Sequence, residues 1–345
     1  MTASSQAPLP IVGVVGATGA VGREIIGCLE KRKFPLSQLK LLASARSAGE
    51  QIPFRGASIP VEVLDERSLS DVDIALFSAG SSITRKFAPT AGKRTVIIDN
   101  SSAFRMEDGI PLVVPEINGD MAFHHGGLIA NPNCTAIITA MAVWPLHRQV
   151  PVRRLFASTY QAASGAGAAA MEELRLSTEA FLARRSYAPR VLPHPYAFNV
   201  FSHNDVVDVS TGSNGEETKV ANELRKIMSH PELRIGVTCV RVPVLRAHTV
   251  VLSVEFERPF RPEEAKEVLS TSPGVRIVDD RTRNHFPMPN EASGQDEILA
   301  GRFRPDYGDP SGHTVAMMLS GDQLLKGAAL NAVQIAELLT KESRR

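Results

Sequence analysis

One cysteine of this 345-residue chain stands where nucleophilic chemistry is favoured. In Asn131-Pro132-Asn133-Cys134-Thr135, an asparagine precedes an apolar helical run, Ala136 to Leu146. Asn133 can cap that helix, which places Cys134 in its first turn. There the helix dipole and the unpaired N–H groups favour the thiolate. The other two cysteines read differently. Cys28 shares an apolar helical stripe with Val21, Ile25 and Leu29, and Cys239 falls within a strand, so both fit small buried hydrophobes. Three widely spaced cysteines also make no disulfide framework and point to a reducing cytoplasm.

A thiolate nucleophile calls for an acid/base partner. The best placed of nine histidines is His248, in Arg241-Val242-Pro243-Val244-Leu245-Arg246-Ala247-His248. It follows a strand and a proline-interrupted turn, so it can project into a cleft or serve a structural role. Gln161 ends a strand before the loop Ala162 to Gly167. Its amide can orient a carbonyl or cap the next helix.

A second chemical feature lies near the N-terminus. Gly16-Ala17-Thr18-Gly19-Ala20-Val21-Gly22 joins the first strand to a helix. Glycines at such a junction allow a tight turn and close approach of a pyrophosphate to backbone N–H groups. At the end of the second strand, where an NAD site places an acidic residue for the ribose, the chain has Ser44-Ala45-Arg46-Ser47. A guanidinium and two hydroxyls suit a 2′-phosphate, so NADP is expected over NAD. The plain alternative is a polar surface loop.

The elements that position these groups follow from the apolar pattern. Strand runs at Ile11–Val15, Leu39–Ala43, Val61–Leu64, Ile74–Ser78, Val96–Asp99 and Leu128–Ala130 alternate with helical stretches such as Gly22–Lys31. That pattern predicts an α/β fold, a Rossmann-like doubly wound domain with a parallel sheet. Beyond Trp144 the texture changes. Longer strands at Leu155–Gln161, Arg234–Val244 and Thr249–Glu257, with helices at Gly167–Ala183 and Glu216–Met228, predict an α+β domain with an open mixed sheet. A final helix over Gln323–Thr340 can pack back on the first domain. The expected division is therefore 1–134 with 323–345 for the nucleotide domain, and 135–322 for the catalytic and dimerisation domain.

Composition narrows the function further. Hydrophobic residues make up 43% and the formal net charge is +1, which gives no electrostatic case for nucleic acid or an anionic membrane. No apolar run approaches the ~20 residues that span a bilayer. Met1 to Pro10 lacks a basic start and an apolar secretory core and reads as a short disordered lead. A cytoplasmic protein with small-molecule partners is expected, and no metal site.

Taken in order, GATGAVG, SARSAG, DNSSAFRM, PLVVPEIN, ANPNCTA, STYQAASGAG, RVPVLRAHT, VEFERPF, GRFRPD and GAALNAVQIAELL span nearly the whole chain. In sequence and spacing the chain resembles the bacterial aspartate-β-semialdehyde dehydrogenases. The resemblance implies an NADP-dependent phosphorylating aldehyde dehydrogenase, a homodimer, acting on aspartyl phosphate, aspartate semialdehyde and inorganic phosphate. The product would feed lysine, threonine and methionine synthesis. It makes Cys134 the thioester-forming nucleophile, His248 the acid/base and Gln161 the residue that positions the reacting centre. Arg241 matches the clamp on the substrate α-carboxylate and Glu216 the partner of its ammonium. Arg105 and Lys219 match the phosphate site. Thr18, Gly19, Ala20, Val21, Arg46, Ser47, Ser164, Gly165 and Gln323 correspond to NADP contacts. The chain departs from the family pattern at Thr135-Ala136, at Ser81, and at Ala247-His248-Thr249, where Gly-His-Ser is usual. An N-acetyl-γ-glutamyl-phosphate reductase shares the chemistry but needs no acidic group for a free ammonium, so Glu216 separates the two. A catalytically dead scaffold paralogue would lack Cys134 or His248.

Overall fold

The computed structural model describes residues 8–91 and 94–342, so the first seven positions of the expected lead lie outside the described residues. Two compact units form. The first takes the chain up to Pro132 and from Ala328 onward, and the second is Asn133–Gly327. Among the described residues no helix is long and apolar enough to cross a membrane.

The first unit opens with β1 (Ile11–Val15), α1 (Ala20–Lys31), β2 (Gln38–Ala43), β3 (Gln51–Phe54), β4 (Ala57–Val63) and β5 (Ile74–Phe77). It continues with α2 (Ser81–Phe87), β6 (Val96–Asp99), α3 (Pro115–Asn118) and β7 (Leu128–Ala130), and it includes the C-terminal helix Leu330–Glu342. Sheet order is β3-β4-β2-β1-β5-β6-β7. Every pairing is parallel except the β3–β4 hairpin. From central β1 the chain steps to β2 on one side and later to β5 on the other. The topological switch, where such sheets bind ligands, is therefore the C-terminal end of β1. Val15, Leu42, Phe77 and Ile97 pack with Phe87 as the core that fixes this end. The hairpin was not legible in the sequence. Its two-residue turn is Arg55-Gly56, both at positive φ (50° and 78°), the geometry that matches strand twist.

The second unit begins with α4 (Cys134–Gln149), β8 (Val152–Gln161), α5 (Ala168–Leu182), β9 (Phe201–Ser202), α6 (Gly215–Ile227), β10 (Arg234–Arg241) and β11 (His248–Phe256). After them come α7 (Pro262–Ser270), β12 (Val275–Ile277), β13 (Ile298–Pro305) and β14 (Thr314–Gly321). They build an open mixed sheet ordered β12-β13-β14-β11-β8-β10-β9. Side chains of β8 alternate between buried and exposed, as a strand covered on one face must. Helix α4 is buried along most of its length, which accounts for its apolar composition on every side.

Two expectations change. The final helix does not start at Gln323: a π-turn spans Leu325–Ala329 and the regular helix starts at Leu330. Gln323 belongs to the second unit, where Ser164 and Ala247 hold its amide. The strand expected to run to Val244 ends at Arg241, because Pro243 has no N–H for a ladder.

Candidate active site

Strand register gathers the first three residues. Parallel pairing sets Arg241 of β10 opposite Gln161 of β8. Antiparallel pairing sets Thr249 of β11 opposite Tyr160, which brings His248 to the same end of the sheet. Gln161, Arg241 and His248 are 1%, 3% and 0% exposed, so each polar head is committed to the protein or to a ligand. The backbone of Ala162 ties two of them together. Its N–H donates to Nδ1 of His248 at 3.0 Å, and its carbonyl accepts from Nη1 of Arg241 at 2.9 Å.

Because Nδ1 of His248 accepts a backbone N–H, the neutral ring carries its proton on Nε2. That Nε2 is buried and has no hydrogen-bond partner among the described residues. Burial, with Arg241 and His203 adding to it, holds His248 well below the usual histidine range. A Cβ on Gly165 would sit 3.0 Å from Cε1 of His248 and 3.1 Å from Nη1 of Arg241. Gly165 is therefore the close approach that lets the loop pass over both heads. Arg241 spends Nε on Asn204 at 2.9 Å and Nη1 on Ala162, leaving the Nη2 end of its fork without a protein partner among the described residues.

Cys134 starts α4, and Asn133 is its cap: Oδ1 accepts from the backbone N–H of Thr135 at 2.9 Å and of Ala136 at 3.2 Å. The cap is itself held from α6. Glu223 Oε2 accepts the Asn133 N–H at 2.5 Å, and Glu216 Oε1 accepts its Nδ2 at 2.9 Å. Gln161 Nε2 closes the ring by donating to Thr135 Oγ1 at 2.9 Å and Glu216 Oε1 at 3.3 Å. Half-buried Cys134 also lies against Gly327, where a Cβ would fall 2.9 Å from its own Cβ. Cys28 and Cys239 are buried, and burial pushes the Cys239 thiol up to about 12.

Lys219, one turn beyond Glu216, is ion-paired with Asp205. Nearby His203 is lowered to about 4, by burial first and then by the Arg241 cation. Gln323 donates to Ser164 Oγ and accepts the N–H of Ala247 at 2.9 Å. Ala247 has φ of +72°, in the left-handed region that favours glycine. Buried Asp322 takes Arg246 and the Gly294 N–H at 2.7 Å each. Asn204, Glu223 and Asp322 escaped the sequence reading, because single polar residues carry no signal until their distant partners are known.

The remaining candidates lie in the first unit. Gly16 has φ of +84°, and a Cβ there would meet the Ser78 backbone at 2.9 Å. A Cβ on Gly22 would sit 2.1 Å from the Gly16 carbonyl oxygen. Gly19 is the cap of α1, and no side chain makes a capping hydrogen bond at that helix start. Thr18, Gly19, Ala20 and Val21 thus form a bare turn and helix N-terminus, a setting that fits a pyrophosphate. Ser47 accepts from Thr18 Oγ1 at 3.2 Å, which fastens the Arg46 loop to the glycine turn; Arg46 is exposed. Arg105 is anchored by Nε to the Asn131 carbonyl at 2.9 Å and by Nη2 to the Asn100 carbonyl at 2.8 Å.

Comparison with known proteins finds two domain matches along the chain. Residues 11–124 match the semialdehyde dehydrogenase NAD-binding domain, and residues 143–326 match the semialdehyde dehydrogenase dimerisation domain. An aspartate-semialdehyde dehydrogenase of Synechocystis sp. is 48% identical, covering 97% of this chain and 98% of that protein. Its counterpart from Aquifex aeolicus is 45% identical, with 96% and 98% covered. Among solved structures, aspartate semialdehyde dehydrogenase II of Vibrio cholerae complexed with ASA superposes with a TM-score of 0.93 at 37% identity, covering 97% and 99%. With 45–48% identity over nearly the whole length, both domain matches and a common fold, the chain belongs to the aspartate-semialdehyde dehydrogenase family, oxidoreductases of the aspartate pathway with an NAD(P)-binding domain.

Proposed function

We propose that this enzyme uses NADP and reduces L-aspartyl 4-phosphate to L-aspartate 4-semialdehyde through a thioester on Cys134. The observation that supports the reading is the ring of bonds around the start of α4, which ties Asn133 and Thr135, the neighbours of Cys134 in the chain, to Glu216 and Gln161. The helix start favours the thiolate. Its sulfur attacks the β-carbonyl carbon, and the C–O bond to phosphate breaks to leave a thioester. Arg105 and Lys219 are the cations assigned to the leaving phosphate. When bound, NADPH supplies a hydride to the thioester carbonyl. The resulting thiohemiacetal collapses to the aldehyde and returns the thiolate.

His248 holds its proton on Nε2, and Nδ1 is occupied by the Ala162 N–H. Taking a second proton at Nδ1 would break that bond, so the resting ring meets each oxyanion as a neutral donor. This refines the acid/base role implied by the resemblance. The open Nη2 end of Arg241 takes the α-carboxylate. Glu216, steadied by two amides, takes the ammonium. Ser164, Gly165 and Gln323, a loop and its brace, are assigned to the cofactor. The exposed face of the second sheet, with Phe156 and Tyr160 of β8, is the surface for a homodimer.

The test is NADP reduction with aspartate semialdehyde and phosphate, set against N-acetylglutamate semialdehyde, in wild type and Glu216→Gln. Wild type should prefer the free amine, and Glu216→Gln should narrow that preference. Preference for the acylated substrate would sink the assignment.

A further inference from the structure

Four buried side-chain polar atoms among the described residues lack any partner: Thr139 Oγ1, Thr159 Oγ1, Tyr196 OH and His248 Nε2. An orphaned buried hydroxyl is costly, and a ligand that completes it removes the cost. Tyr196 comes from the irregular stretch between α5 and β9 and is 1% exposed. Its ring is clamped by Ala163, Ala170, Leu174 and Leu192, and it stands edge-on to Phe201 with centroids 5.6 Å apart. Those contacts place it beside Arg241 from two directions. Phe201 pairs with Arg241 across β9 and β10, and Ala163 follows the residue whose carbonyl holds the Arg241 guanidinium.

We propose that the Tyr196 hydroxyl is a second donor to the substrate α-carboxylate, beside the open end of the Arg241 fork. This rests on the assignment of Arg241 to that carboxylate. Burial pushes Tyr196 up to about 12 against the pull of the Arg241 cation, so the phenol keeps its proton at neutral pH and can donate. A carboxylate brought in by the substrate accepts from both, and the orphan is satisfied only in the complex. Buried carboxylate recognition then discriminates by loss: a substrate without that group leaves Arg241 and Tyr196 unpaired.

The experiment compares wild type, Tyr196→Phe and Arg241→Lys on aspartate semialdehyde and on 3-aminopropanal, which lacks the α-carboxylate. Phenylalanine keeps the ring packing and removes only the orphan, so the melting temperature should hold or rise. A lost bond to a charged group is worth roughly ten- to a hundredfold, and it should appear in KM for aspartate semialdehyde with kcat nearly unchanged. In Tyr196→Phe, kcat/KM for 3-aminopropanal should fall far less than kcat/KM for aspartate semialdehyde. An unchanged KM in a folded Tyr196→Phe enzyme, or an equal loss on both aldehydes, overturns the proposal. If Arg241→Lys is damaged while Tyr196→Phe is not, Tyr196 alone is excluded. If wild type fails on aspartate semialdehyde, the underlying substrate assignment falls instead.

Discussion

The backbone N–H of Ala162 points at Nδ1 of His248 and lies 3.0 Å from it, so protonating the ring would set donor against donor. His203, also within reach of the Arg241 charge, is likewise buried and lowered to about 4. Both histidines have folded-state values below the ordinary 6.5. Between those values the unfolded chain binds more protons than the native one, so stability rises with pH there. The stabilisation is complete above pH 6.5 and is lost as pH falls toward the folded-state values. Each such histidine contributes a slope of up to about 1.4 kcal/mol per pH unit. Urea unfolding at pH 7, 6 and 5 should show this loss, and His203→Gln should flatten the slope by about one proton. A slope unchanged by His203→Gln would show that His203 titrates normally.

Cofactor choice should follow Arg46. The loop it stands on is fastened to the glycine turn through Thr18 and Ser47, and β2 ends at Ala43 with no acidic residue for a ribose. Arg46→Ala should weaken NADP by about one to two orders of magnitude, the worth of a charge-assisted bond at about 1.5–3 kcal/mol. NAD binding should hardly change. Titration of both nucleotides checks this, and equal use of both by the native enzyme would overturn it.

Ala247 stores strain one residue before His248. Its φ of +72° suits glycine, and its N–H is pinned by Gln323. A left-handed alanine costs about 1–2 kcal/mol, of which the larger chain entropy of glycine returns part. Ala247→Gly should therefore stabilise the fold by about 0.5–1 kcal/mol in urea unfolding. Lower stability in that variant would mean the turn carries no strain.

Legibility differed from place to place. The parallel sheet was readable because its buried strands, such as Ile11–Val15 and Ile74–Phe77, are continuous apolar runs. Asn133 and the apolar helix behind it marked the setting of Cys134. The meeting of Gln161, Arg241 and His248 was not readable from local pattern, since register between distant strands decides it. Strands β13 and β14 were missed for a related reason. Their register shifts between Gly301 and Arg304, with Arg302 at φ +55°, which breaks the alternation that would announce them. Tyr196 gave no signal at all, since an irregular segment carries it.

The proposed chemistry turns on a covalent bond between substrate and Cys134. Aspartate semialdehyde and NADP, mixed with the enzyme without phosphate, should leave an aspartyl thioester. Mass spectrometry of the intact protein and of its Cys134 peptide would detect it. Expected are that adduct, its discharge by added phosphate, and its absence in Cys134→Ser. An enzyme that turns over with no adduct, or with the acyl group on another residue, would rule out the Cys134 thioester.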